Sequence, residues 1–238
     1  MRHVVLCTIL LFTSLRVQAG WQSIGNAESY VVRGGNTVVV KASGATLEVS
    51  LLSDHVARVR CIPPTPGGKL PPDVSQAVIP THWPAPATEF SDAPGAFTLT
   101  TPALRVTITK KPVRITIADS TGRVLTQDQP EKGMAWTPGP NGAVRVWQTM
   151  PQDAHYYGLG EKSGALEKRN SAVTMWNSDI PAYGTATDPL YESIPFFMAI
   201  TGGTAHGVFF DNTYWSSFDM GKEARDEYSF GAEGGELN

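Results

Sequence analysis

Alternation of apolar and polar residues with a period of two is the feature that most constrains this chain. Leu47, Val49 and Leu51 alternate with Glu48 and Ser50, and the pattern resumes at Val56-Ala57-Arg58-Val59-Arg60 after a break at Ser53-Asp54. Leu104, Val106 and Ile108 alternate with Arg105, Thr107 and Thr109; Val113, Ile115 and Ile117 alternate with Arg114 and Thr116. Successive side chains of an extended backbone point to opposite faces, so each run reads as a strand with one buried face. The turn residues Asp119-Ser-Thr-Gly122 end the fourth run and predict a hairpin into Val124. Further strands are expected at 143–150, 156–158, 173–176, 195–200 and 207–211.

Helical signal is thin. The stretch from Leu159 to Asn170 has helix formers but also Gly160 and Gly164, so it reads as a loop with at most one turn. Two proline-rich stretches, 63–72 and 80–94, cannot be central strands and read as surface connections. Many short strands with frequent turns predict an all-β fold, a large antiparallel β-sandwich. Roughly two hundred residues can form one such domain, expected over 20–238.

The N-terminus reads as a secretory signal peptide over residues 1–19. Arg2 and His3 precede an apolar run from Val4 to Leu15, and Val17-x-Ala19 supplies a small-x-small-like cleavage site. The run is shorter than the roughly 20 residues of a membrane span. A secreted or periplasmic location is therefore expected. Cleavage would remove Cys7 and leave Cys61 alone, excluding an internal disulfide. Cys61, in Val59-Arg60-Cys61-Ile62, reads as a small buried hydrophobe rather than a nucleophile, and one thiol is not a metal site. Losing Arg2 and Arg16 takes the net charge from −3 to −5. That balance carries no footprint for nucleic acid or an anionic membrane. Neither a cofactor nor a metal is expected.

Chemistry concentrates after His155. His155-Tyr-Tyr-Gly-Leu-Gly-Glu161 places a carboxylate beyond a Gly-x-Gly turn, and Trp176, Asn177, Asp179, Tyr183 and Tyr191 crowd one short stretch. Aromatic rings cover the C–H faces of a pyranose, while carboxylates and amides pair with its hydroxyls. Each residue also has a plainer reading. Trp176 and Tyr191 would fill a core or an interface, and Glu161 would pair with Arg169 or cap a loop. Asp179 would stabilise a turn. Gly158 and Gly160 lack the third glycine and following helix of a dinucleotide site.

An ordered set of motifs shifts these odds: Tyr157-Gly-Leu-Gly-Glu161, Lys168-Arg169, Met175-Trp-Asn-Ser-Asp179, Asp188-Pro-Leu-Tyr191, Ile194-Pro-Phe196 and Gly207-Val-Phe-Phe-Asp-Asn212. In order and spacing they resemble the N-terminal domain of family 31 glycoside hydrolases, the α-glucosidase and α-xylosidase type. The specific match covers about 156–219, with looser support back to Val38. Asn170 stands where the family usually has glycine, and Asn tolerates the same left-handed conformation. The resemblance implies a galactose mutarotase-like supersandwich packed on a (β/α)8 barrel that follows in the same chain. In that family the barrel supplies both carboxyls for retaining hydrolysis of α-linked glucosides or xylosides, about 5 Å apart. The chain is thus expected to be cut off before its catalytic barrel, with no catalytic residue of its own and inactive alone. By motif position Asp179, with Trp176 beside it, is expected to contact substrate on a loop reaching over the barrel mouth.

Two other readings stay open. A freestanding carbohydrate-binding module would use Trp176 and Tyr191 as its platform. An aldose epimerase would need histidine and carboxylate as acid and base, cast from His82, His155, His206 and Glu161. The hydrolase reading, with its barrel absent, also predicts an exposed apolar surface around Trp176 to Phe197.

Overall fold

The computed structural model describes residues 20–79 and 83–238; the expected signal peptide over 1–19 and His82 lie outside them. The strands, in chain order, begin with β1 (Gln22–Ser23), β2 (Ser29–Arg33), β3 (Thr37–Ala42), β4 (Ala45–Ser53) and β5 (Val56–Ile62). Next come β6 (Glu89–Asp92), β7 (Ala96–Thr100), β8 (Leu104–Lys110), β9 (Val113–Asp119) and β10 (Val124–Gln127). The second half holds β11 (Met134–Trp136), β12 (Val144–Thr149), β13 (His155–Gly158) and β14 (Ala172–Met175). It closes with β15 (Phe196–Thr201), β16 (Thr204–Phe209), β17 (Ser216–Asp219) and β18 (Glu227–Ala232). Among the described residues the one helical piece is a 3-10 turn at Pro66–Gly68, inside the first proline-rich connection.

Every strand pairing is antiparallel, and the strands form four sheets. Strands β2 to β5 make a meander, and β6 to β10 make a second one. The third sheet has the order β1-β11-β12-β18-β17-β14, and the fourth is β13-β15-β16. Alternation places the inward sets together. Leu47, Val49 and Leu51 of β4 and Val106 and Ile108 of β8 are fully buried. They share one core with Met134 and Trp136 of the third sheet and Phe197 of the fourth. Each such side chain contributes about 1.5–3 kcal/mol by leaving water. Phe197, Phe210, Phe218 and Phe230 lie ring against ring, with centroids from 5.3 to 6.5 Å apart, which ties the third and fourth sheets to one another.

The fold class agrees with the alternation, and the expected hairpin forms between β9 and β10, with Asp119 N donating to Arg123 O. No strand is expected from the sequence at β1, β2, β3, β6, β7, β11, β17 and β18, and β6 lies at a sheet edge inside the second proline-rich stretch. The cause is plainest at β18, Glu-Tyr-Ser-Phe-Gly-Ala, which is buried at every position. A strand covered on both faces has no polar face to reveal a period. Cys61 is buried, and its thiol is pushed up to about 12, chiefly by that burial.

For the site, what matters is the link between two sheets. Strand β14 is an edge strand of the third sheet. Residues 176–195 leave its end and return as β15, the central strand of the fourth.

Candidate functional site

The arm of residues 176–195 stands on a tight turn. Gly158, Leu159 and Gly160 all have positive φ, at 121°, 73° and 78°. The turn is held against the arm's return: Leu159 N donates to Phe196 O at 2.8 Å and Glu161 N to Glu192 O at 3.0 Å. A Cβ on Gly160 would sit 2.6 Å from Glu192 O and 2.7 Å from Ile194 N. Glycine is needed there for both conformation and contact. Asn170 has a φ of 63°, the left-handed geometry a glycine would supply.

Next to this turn a lysine is folded inward. The Lys162 side chain is 1% exposed; its ammonium donates to Thr174 O at 2.5 Å and lies 3.2 Å from Asp188 Oδ1. The other Asp188 oxygen accepts from Thr174 N at 2.6 Å. Thr174 lies on edge strand β14, and both of its outward backbone groups are taken by this ion pair instead of by another strand. The pair therefore caps a sheet edge and fixes where the arm departs. Ser163 Oγ also donates to Thr187 O at 2.7 Å.

Within the arm, short polar contacts set the shape. Ser178 N donates to Leu190 O at 2.9 Å, Tyr191 Oη to Ile180 O at 2.6 Å, and Ser193 N to Asn177 Oδ1 at 2.8 Å. Leu190 is the arm's buried plug. The Ser193 hydroxyl is buried without a partner.

The outer surface is aromatic and acidic. Trp176 is 46% exposed and stacks on Trp215, 39% exposed, with centroids 5.2 Å apart and planes 29° apart. Tyr183 meets Tyr191 edge-on at 5.9 Å. Asp179 and Glu161 are exposed. Desolvation raises the Tyr191 phenol above its ordinary value, with further contributions from Asp179, Tyr183 and Glu161. Asp179, Glu161 and the tyrosine pair thus share one electrostatic neighbourhood. Ile194, Phe196 and Met198 extend the exposed apolar surface along the arm's return and β15.

Several expectations change. Glu161 makes no ion pair with Arg169, whose guanidinium instead donates to the carbonyls of Pro151 and Ala154 at 2.8 and 3.0 Å. Three backbone carbonyls, Arg225 O included, already occupy that fork. Trp176 fills no core. Among the described residues those of an epimerase are not assembled: His155 Nδ1 is 2.8 Å from Glu167 Oε1, and His206 sits on β16, separated from β13 by β15. Trp215 and Lys162 were not singled out from sequence. The adjacent aromatic pair Tyr214-Trp215 is a visible signal for the first. For Lys162 there was none, since a lysine is ordinarily a solvated residue. Among the described residues no cluster of His, Cys, Asp or Glu has the makings of a metal site.

This architecture defines a class: a galactose mutarotase-like β-sandwich carrying an aromatic arm. Residues 46–219 match the family described as the glycosyl hydrolase 31 N-terminal galactose mutarotase-like domain, and the chain belongs to that family. It is 46% identical over 142 residues to alpha-glucosidase 2 of Bacillus thermoamyloliquefaciens, covering 59% of this chain and 18% of that one. It is 26% identical over 231 residues to an isomaltosyltransferase of Sporosarcina globispora, covering 91% of this chain and 19% of the relative. A Flavobacterium johnsoniae GH31 dextranase, solved in complex with glucose, superposes with a TM-score of 0.79 at 36% identity. That alignment covers 91% of this chain and 26% of the dextranase. The chain thus spans about a fifth of the length of these curated relatives.

Proposed function

We propose that this chain is the substrate-arm domain of a retaining α-glycosidase acting on α-linked glucoside or xyloside oligosaccharides. In this reading Trp176, supported from behind by Trp215, covers an apolar sugar face. Asp179 accepts hydrogen bonds from sugar hydroxyls, and neither residue attacks the anomeric carbon. The two reacting carboxyls belong to a (β/α)8 barrel following in the same chain. The domain works in the secreted or periplasmic setting that the N-terminal segment implies.

The observation that carries this reading is the exposed Trp176–Trp215 stack on an arm held by the Lys162–Asp188 ion pair, whose lysine side chain is enclosed. Large rings left open to water at the end of a well-fixed loop have the chemistry of a recognition surface. The test is to join the chain to a family 31 barrel and measure hydrolysis of α-glucosides. Asp179→Ala and Trp176→Ala should each raise KM about tenfold or more, the cost of one charge-assisted contact or one stacked ring. Unchanged kinetics in both variants would remove the arm from the site.

A second reading rests on the same open stack: a freestanding carbohydrate-binding module. It requires the isolated chain to bind maltose or xylose oligosaccharides in calorimetry, which the substrate-arm reading does not.

A further inference from the structure

Two sheet edges face one another across a groove. Strand β5 ends the sheet β2-β3-β4-β5, and strand β16 ends the sheet β13-β15-β16. The groove between them encloses about 620 Å³ and is lined by Ala57 and Val59 of β5, by the length of β16 and by Ile117 of β9. Ala57, Val59, Ile117 and Val208 pack against the core yet are only partly buried, so the groove is a strip of core open to water.

The backbone along both edges points into this strip. Cys61 N donates to Leu237 O at 2.7 Å and Leu237 N to Cys61 O at 3.0 Å, so Cys61 turns its backbone groups away from β4. Strand geometry repeats every two residues, and Val59 and Ala57 therefore turn theirs the same way. On the opposite side Phe210 N donates toward β15, to Pro195 O at 2.8 Å, while Asp211 N donates outward to Asn238 O at 2.7 Å. Phe209 and Gly207, two and four residues before Asp211, point outward with it. Among the described residues no further strand pairs with these four positions.

Residues 236–238 already sit as a strand beside β5. Leu237 is buried in the core with Cys61, whereas its two neighbours turn to the other face. There Arg60 Nε donates to Glu236 Oε1 at 2.6 Å and Arg58 Nε to Asn238 Oδ1 at 2.7 Å. That alternation is the signature of a half-buried strand. Natural sheet edges are commonly guarded by charge or proline, and β16, Thr-Ala-His-Gly-Val-Phe, carries neither.

We propose that the groove holds an extended segment that continues from Asn238 toward the barrel and pairs with β5 and β16 at once, joining their two sheets. The inference rests on the reading that a barrel follows in the same chain. A small molecule would leave the row of backbone donors and acceptors unanswered, whereas an added strand satisfies them on both sides. Carrying the Leu237–Cys61 register forward sets the first and third residues after Asn238 opposite Val59 and Ala57. Their side chains turn inward like that of Leu237, and they are therefore apolar or aromatic.

The test is amide-resolved hydrogen exchange on the full-length protein, barrel included, beside a variant whose four residues after Asn238 are replaced by Gly-Ser-Gly-Ser. In the full-length protein the amides of Ala57, Val59, Gly207 and Phe209 should exchange on the order of a hundredfold more slowly than in the variant. Arg60 and Val208, paired with Glu48 and Phe197 inside their own sheets, should change little. Equal rates for the four amides in both proteins would overturn the proposal, because any protection would then come from elsewhere. So would protection that grows with protein concentration, the mark of a second copy in the groove. Where the variant folds poorly the full-length protein decides alone: four amides exchanging as fast as an exposed loop refute the added strand. Hydrolysis of an α-glucoside by the same sample reports on the substrate-arm reading separately. Activity with unprotected amides removes the strand and leaves that reading standing, and protection without activity does the reverse.

Discussion

Asp188→Ala tests the ion pair on which the arm depends. The substitution removes the carboxylate beside Lys162 and the acceptor of Thr174 N together. Lys162 is enclosed, with 1% of its side chain exposed, while the Asp188 side chain is 25% exposed. Stranding one partner of a fully buried pair costs about 3–5 kcal/mol. The partial opening of Asp188 admits water to the orphaned ammonium, so we expect about 3 kcal/mol. For a domain of this size each kcal/mol moves Tm by roughly 2–4 °C, giving a fall of roughly 6–12 °C. Urea unfolding followed by tryptophan fluorescence measures this. A cycle adding Lys162→Met isolates the pairing, since methionine leaves no charge to strand. The double variant should be more stable than Asp188→Ala alone. A loss below about 0.5 kcal/mol is what an exposed ion pair would give, and it would refute the claim that this pair holds the arm. A double variant no better than the single would show that Thr174 N, and not the ammonium, is the group that suffers.

Other outcomes can be checked with the same material. Burial holds the Asp128 carboxyl at about 6, above an ordinary 3.8. The folded state therefore binds this proton more tightly than the unfolded chain. The associated stability is complete below about pH 4 and is lost as pH rises through 6. At 1.36 kcal/mol per pH unit the full loss is about 3 kcal/mol. Asp128→Asn should flatten that part of the profile in urea titrations between pH 4 and 7; an unchanged slope would assign it to another group. Gly160→Ala places a methyl group against two backbone atoms of the arm, and should cost about 1–3 kcal/mol and alter tryptophan emission. Gly184→Ala, whose Cβ would meet nothing within 4 Å, should stay within about 0.5 kcal/mol of wild type. Cys61, with its thiol pushed up to about 12 and 1% exposed, should resist iodoacetamide until the protein unfolds; labelling at a free-thiol rate would mean that β5 opens in the native state.

The sandwich was legible where strands are covered on one face. Strands β4, β5, β8 and β9 write their inward residues at every second position, and turn chemistry at Asp119 to Gly122 joins two of them. Legibility failed where the structure removes the contrast. Tyr228 and Phe230 of β18 are buried, and so are Glu227 and Ser229, which alternate with them, and Val38 to Val40 of β3 form an unbroken buried run. At the site, the residue types were legible but not their supports. Trp176, Tyr183 and Tyr191 could be seen as an aromatic cluster, yet their partners depend on the third dimension. Trp215 reaches Trp176 from 39 positions away in sequence, and no local pattern predicts that. Lys162 is opaque for another reason. Composition treats lysine as solvated, and only the closure of β14's edge by Asp188 makes it an interior residue.

That contrast bears on how such an arm can keep its shape. A loop is usually held by burying its own apolar side chains, and this one buries little beyond Leu190. Its aromatic rings face outward, so the hydrophobic effect gives them no reason to stay in place and some reason to collapse. The restraint comes instead from directional polar contacts: Lys162 with Asp188, Asn177 with Ser193, and the hydroxyl of Tyr191, rather than its ring face, with the Ile180 carbonyl. Position and recognition are thereby divided between different side chains. Substitutions at Trp176 should change binding with little effect on folding, whereas substitutions at Asp188 should change both. A variant such as Trp176→Ala that lowered Tm as far as Asp188→Ala would show that the rings hold the arm after all, and the division of roles would fall with it.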